Sequence, residues 1–174
     1  LSLHIGTNRT VPGQHVSGTS RYADIRLSEI TALDYWVRVS LGDMIYSGVF
    51  ERYSKLKVVS VEHELSWIPN FLDRLDYNYT QRSRGMKYPR FRNDMLPSDF
   101  FHRNVFVGFQ EDELGIQLRH IIGVDNLLWG SDYPHNESTF PRSREILDRI
   151  LEDVPEDERK KIVRDNAATL YQLN

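Results

Sequence analysis

The chain has 174 residues, 40% hydrophobic and 27% charged, with a formal net charge of −3; this describes one folded domain with room for a real core, and gives no electrostatic reason to expect nucleic acid or an anionic membrane as partner. There is no cysteine, which removes disulfides, thiolate metal ligands and a cysteine nucleophile. No apolar run approaches the roughly 20 residues that span a bilayer and no signal peptide is visible, so the expectation is a soluble, cytoplasmic protein.

Residues 1–5 read as a short buried strand ending at Gly6. A chain that opens on such a strand, without a methionine, reads as part of something larger. Residues 7–22, rich in Gly, Thr, Asn and Ser, form a long loop by composition. Ile30, Leu33, Val37 and Leu41 recur at helical spacing, predicting a helix from a Ser28 cap to about Tyr46, with a second helical piece over 48–55. The β-branched run "KVVSVEH" (57–63) predicts a strand. Residues 66–82 read as a helix with Ile68, Leu72 and Leu75 on one face and Pro69 in its first turn. Residues 83–96 look irregular, and the arginines between 82 and 92 are interleaved with Ser, Gly, Pro and aromatics as in a solvated loop.

A short helix over 96–103 precedes the strand "NVFVGFQ" (104–110). A helix over 111–122 follows, with acids in its first turn and Gly123 as its stop signal. "NLLWGSD" (126–132) is the fourth strand, and helices over 143–151 and 155–173 complete the chain. The alternation of strand and helix, with no hairpin signal, predicts an α/β fold of parallel βα units. Four such units at this length fit half of an eight-stranded barrel better than a whole one, with a small open doubly wound sheet as the other architecture.

In parallel sheets of this kind chemistry sits at the carboxyl ends of the strands. Those ends carry His4, then Glu62 and His63, then Gln110 with Glu111 and Asp112, and finally Asp132 with His135 three residues on. Imidazoles and a carboxylate at converging strand tips suit a divalent cation, zinc by ligand type and manganese as an alternative. Each residue has a plainer reading beside this one. Taken alone, His4 in an apolar strand is more often a hydrogen-bonded structural residue than a ligand, and so is His63. Adjacent strand residues face opposite sides, so at most one of Glu62 and His63 reaches the site, with Glu62 the one expected to point away. His15, His102 and His120 are explained by solvent exposure, and Glu111, Asp112 and Glu113 by helix starts. Asp132 is the strongest of the set, because a carboxylate closing an apolar strand needs a partner.

"LLWGSDYPHNESTFPRSREIL" and "RKKIVRDNAATLY" together resemble the C-terminal end of the amidohydrolase-related family, in the branch of aminocarboxymuconate-semialdehyde decarboxylase and related aromatic-acid decarboxylases. "VVSVEHELSWIPNFLDRLD" resembles the sixth-strand segment of that branch and "LSLHIGT" the fifth. The resemblance implies the C-terminal half, strands 5–8, of a metal-dependent (β/α)8 TIM barrel. It implies His4 and Asp132 as metal ligands, Asp132 also as acid/base, and His63 near the sixth-strand catalytic histidine, although "EHELSW" lacks the Gly-Gly that follows that histidine in the family. The family's His-x-His pair at the first strand has no counterpart here, so residues 1–174 are expected to be the C-terminal part of the domain, weak in metal binding and poorly active alone.

The resulting expectation is a metal-dependent hydrolase or non-oxidative decarboxylase acting on a small carboxylated or carbonyl substrate. Partners would be that small molecule, and a second copy or a chain supplying the other half-barrel, with neither nucleic acid nor membrane. The loop over 7–22 is a candidate lid, and Trp67 and Phe140 are candidate pocket walls. The competing class is a noncatalytic half-barrel that assembles or binds.

Overall fold

The computed structural model describes residues 1–4, 27–83 and 90–173. The candidate lid over 7–22 and His15 lie outside these residues. Four strands, β1 (Ser2–His4), β2 (Val58–Val61), β3 (Val105–Phe109) and β4 (Leu127–Trp129), form one parallel sheet in the order β1-β2-β3-β4. Each lies inside the apolar or β-branched run that predicted it. Neighbours in sequence are neighbours in space, so every crossover moves one strand along in the same direction. That is the wall of a (β/α)8 barrel; an open doubly wound sheet reverses its strand order at a switch point, and none occurs among the described strands. The sheet is the expected half-barrel, with β1 and β4 each paired on one side.

Between β1 and β2 lie α1 (Leu27–Thr31), α2 (Tyr35–Tyr46) and α3 (Val49–Arg52). The continuous helix expected over 28–46 is interrupted at 32–34, and Ser28 lies inside α1 rather than capping it. The Thr31 hydroxyl donates back to the Leu27 carbonyl at 2.8 Å, and the Tyr35 N–H closes a tight turn on Ala32 at 3.0 Å. Gly48, at φ 73, supplies the left-handed residue that joins α2 to α3.

Between β2 and β3, α4 (Ile68–Tyr77) buries Ile68, Leu72 and Leu75 as the spacing predicts, with Phe71 beside them, and ends in a wider π-helical turn, Asn78–Arg82. α5 (Pro97–Asn104) starts where the Leu96 N–H donates to Asp99 at 2.8 Å. The helix predicted over 111–122 is two pieces, α6 (Glu113–Gln117) and α7 (Arg119–Ile122). They divide at Leu118, whose N–H is shared between the carbonyls of Leu114 and Gly115, and they stop at Gly123. After β4 come α8 (Ser143–Ile150), α9 (Glu156–Lys160), a π-helical turn Lys161–Asp165 and α10 (Asn166–Tyr171). No helix among the described residues is long and apolar enough to cross a membrane.

One core lies between sheet and helices. Val105, Val107 and Phe109 of β3 enter it with Phe50, Ile68, Phe100, Phe101, Leu127 and Ile162. The alternate β3 residues, Phe106 and Gly108, face the other side and are half-buried, level in register with Val59 and Leu128. His4 is level with Val61, so it too stands on that second side, the inner face of a barrel wall.

Three buried asparagines clasp the amino ends of successive strands. Asn104 gives its amide to the carbonyls of Ser54 (2.9 Å) and Leu56 (2.7 Å), ahead of β2. Asn126 reaches His102 (2.8 Å) and Val105 (2.7 Å) at the start of β3. Asn166 reaches Val124 (2.8 Å) and Leu127 (2.9 Å) at the start of β4. Each amide donates to two backbone carbonyls and so ties its own element to the lead-in or start of a strand. Replacing Asn104 by Ala is expected to cost about 1–3 kcal/mol, since two part-buried acceptors, the carbonyls of Ser54 and Leu56, lose a donor; equilibrium urea unfolding reads this directly, and a loss below about 0.5 kcal/mol would show that water takes the amide's place.

Candidate functional site

The carboxyl ends of the strands are at the opposite edge of the sheet from these clasps. β1 ends at His4 and β2 gives way to Glu62; past β4 the chain runs through Gly130 and Ser131 to Asp132. The His4 Nε2 atom lies 2.8 Å from Glu62 Oε1. Asp132 meets the same Glu62 carboxyl, and its own Oδ2 is 3.2 Å from His135 Nδ1. Glu62 thereby connects the two residues predicted as metal ligands, from three different strands. Its carboxyl is raised above the ordinary range, first by burial and then by Asp132, against the opposing pull of His4.

The backbone at this rim is locally unfavourable. Glu62, Glu64 and Asp132 adopt φ of 63°, 55° and 56°, the left-handed region that non-glycine residues enter at a cost of about 1 kcal/mol or more each. Such conformations persist where surrounding contacts enforce them, and cluster at functional sites. Around Asp132 those contacts are the His135 N–H on the Asp132 carbonyl (2.9 Å) and the Thr139 N–H on Ser131 (3.0 Å). The Ser138 hydroxyl adds a bond to the Ser131 carbonyl at 2.7 Å.

His63 goes the other way. It is 7% exposed, with Nδ1 3.1 Å from the hydroxyl of the fully buried Ser60. Burial, with a smaller push from His4, brings its pKa down to about 4, so the ring is neutral at physiological pH. Glu64 accepts from the Gln110 N–H at 3.3 Å and is pushed up to about 7, chiefly by burial. Asp112 is the N-cap expected of a helix-start acid, receiving the Gly115 N–H at 2.7 Å, and it also receives the N–H groups of Leu65 and Ser66. Trp67 gives its indole N–H to the Glu64 carbonyl and packs on Phe71 of the helix layer, whereas Phe140 is 61% exposed beside Tyr133. His102 and His120 stand at the surface, as expected.

An imidazole and two carboxylates at one rim fit a divalent cation in donor chemistry. They fit less well in arrangement: among the described residues no group of three or more His, Asp or Glu side chains is placed to hold a metal ion. Sequence reasoning set Glu62 aside in favour of His63, whereas it is Glu62 that meets His4 at the rim. The signal was its place directly after a β-branched run.

The amidohydrolase family model matches residues 28–173. Among solved structures, an amidohydrolase of Mycobacterium avium subsp. paratuberculosis K-10 is 30% identical with a TM-score of 0.69, over 85% of this chain and 36% of that one. The 5-carboxyvanillate decarboxylase of Sphingomonas paucimobilis is 25% identical with a TM-score of 0.65, over 76% of this chain and 38% of that one. A dihydroxybenzoic acid decarboxylase of Polaromonas sp. JS666, solved with manganese and the inhibitor 2-nitroresorcinol, has the same fold at 23% identity and a TM-score of 0.60, over 79% and 40%. The chain thus spans 36–40% of the length of these three proteins. No curated protein matches it.

Proposed function

The chain belongs to the amidohydrolase family, and from that membership we propose that it forms half the wall, and part of the metal site, of a barrel enzyme acting on a small carboxylated or carbonyl substrate. The reaction is non-oxidative decarboxylation or hydrolysis, with decarboxylation favoured by the activities of the 5-carboxyvanillate and dihydroxybenzoic acid decarboxylases. The observation that carries this reading is the meeting of His4, Glu62 and Asp132 at the carboxyl ends of a sequentially ordered parallel sheet.

His4 and Asp132 would hold the cation, zinc by ligand type or manganese as in the Polaromonas decarboxylase. Such an ion would supply polarisation of a carboxylate or carbonyl, or of a water. Asp132 holds and returns the proton. In decarboxylation the bond to the carboxyl carbon breaks, CO2 leaves, and the carbon left behind takes that proton. In hydrolysis the same carboxylate removes one from water. His63, fixed by Ser60 behind the rim, acts as a positioning residue for the end of β2 and does not touch the substrate. Further βα units, from a second copy or another chain, pair with the outer edges of β1 and β4 and complete the ligand set. Sedimentation equilibrium of the chain at micromolar concentration is expected to show association, and a strict monomer would count against this closure.

The decisive assay supplies Mn2+ or Zn2+ to the assembled protein and follows CO2 release from 5-carboxyvanillate and 2,6-dihydroxybenzoate. Chelator-sensitive release that Asp132→Asn reduces about 10²–10⁴-fold is expected. An assembled protein that turns over neither probe with either metal, and whose metal content is unchanged by His4→Ala and Asp132→Asn, would leave a noncatalytic assembly role instead.

A further inference from the structure

We infer that Gly108 keeps clear the part of the inner wall on which the apolar body of the substrate lies, so that this position sets which substrates the site admits; this rests on the substrate-site reading above and deepens it. Gly108 is half-buried in β3, on the inner side of the sheet. His4 is level with Val61, Ser60 with Val107, and Gly108 with Leu128. His4, Val61, Gly108 and Leu128 therefore make one row across the inner wall, with the aliphatic side chains of Val61 and Leu128 on either side of a gap. One layer below, Phe106 is level with Val59.

The fold does not require glycine at this point. Gly48 and Gly123 have φ of 73° and 104°, and a Cβ on Gly115 would lie 2.3 Å from that of Leu65, so each of those three is needed where it stands. Gly108 has no left-handed φ. A Cβ added to it would meet only the Ser60 carbonyl oxygen at 3.4 Å, the Val61 Cα at 3.8 Å and the Leu128 carbonyl oxygen at 3.9 Å, which are ordinary contacts. Glycine inside a strand weakens it, and marks a bulge or the close approach of a ligand or another backbone. There is no bulge: β3 pairs residue for residue with β2 up to Val107 and with β4 from Val107 to Phe109. The neighbouring backbones stand at ordinary distance, which leaves a ligand laid against the open face. Two strand spacings, roughly 10 Å, separate Gly108 from His4. A one-ring acid spans that distance, with its reacting group at the imidazole and its flat ring over the bare backbone between Val61 and Leu128.

The test is equilibrium binding of 2,6-dihydroxybenzoate and 5-carboxyvanillate to the assembled protein at pH 7 with Mn2+ present, by calorimetry, alongside urea unfolding. The parent is compared with Gly108→Ala, Gly108→Val and the control Gly42→Ala; Gly42 is buried in α2, and a Cβ there meets nothing within 4 Å. Gly108→Ala is expected to raise the dissociation constants about threefold or more and Gly108→Val about tenfold or more, as the added methyl groups fill the gap. The urea midpoint of both should stay at or above the parent's, because glycine is the weaker strand residue. Gly42→Ala should bind as the parent does. If the parent binds a probe and both Gly108 variants bind it equally well, no ring lies on Gly108 and this inference is overturned while the site reading stands. If Gly108→Ala lowers the urea midpoint, the bare strand serves packing against the rest of the barrel, and the inference is overturned in the same way. If the parent binds neither probe, the site reading itself fails and this inference falls with it. Should Gly108→Val not fold, Gly108→Ala alone decides.

Discussion

Asp112→Ala is expected to destabilise the protein by about 3–5 kcal/mol, read as a fall in the urea midpoint at unchanged slope. The Asp112 carboxylate is 9% exposed and receives three backbone N–H groups: Leu65 at 2.8 Å, Ser66 at 2.7 Å and Gly115 at 2.7 Å. Each buried donor left without an acceptor costs roughly 1–3 kcal/mol. Two of the three tie α6 to the segment leading out of β2, so the loss also loosens the joint beneath the rim. Asp112→Asn keeps one acceptor oxygen and should cost about half as much. The joint is tight: a Cβ on Gly115 would stand 2.3 Å from that of Leu65, leaving no room for a larger residue. A loss below about 1 kcal/mol in Asp112→Ala would mean that water enters and replaces the carboxylate.

His63 and Glu64 should make opposite contributions to the pH dependence of stability, each unmasked by removing the other. The folded-state pKa of His63 is lowered from 6.5 to about 4. Its contribution is therefore present above pH 6.5 and is lost as pH falls through 4. Glu64 is raised from 4.5 to about 7, so its contribution is complete below pH 4.5 and is lost as pH rises through 7. At 1.36 kcal/mol per pKa unit the histidine effect is about 3 kcal/mol; the carboxyl, partly reached by solvent, is discounted to about 2 kcal/mol. In His63→Gln the remaining Glu64 effect lowers stability as pH rises from 4.5 to 7. In Glu64→Gln the remaining His63 effect lowers it as pH falls from 6.5 to 4. Denaturant titrations of both variants across this range check the signs, and parallel curves for the two would refute the assignment.

The strands were legible because their apolar and β-branched runs coincide with positions buried against helices. The helix breaks at 32–34 and at Leu118 were not, since both depend on turns that an apolar period does not record. At the rim, His4 and Asp132 stood out as polar residues closing apolar strands. The choice between Glu62 and His63 could not be made in the same way. Strict alternation from Val59 and Val61 would carry His63 to the inner face and Glu62 to the helix side. β2 instead ends at Val61, and the left-handed turn at Glu62 resets the parity. The reach of Asp112 to residues 46 and 47 positions away is likewise tertiary, although its cap on α6 was visible locally.

The asparagine clasps make the wall modular. Each reaches back only to the lead-in of a neighbouring strand, so register is transmitted pair by pair and no long-range template is needed. Loss of one clasp would slip a single joint and leave the others in step. A designer could exchange a βα unit for one from a relative, provided the amide and the two carbonyls it bridges travel together. The opposite edge, where the carboxylates stand, could then be rewritten without disturbing how the strands are aligned.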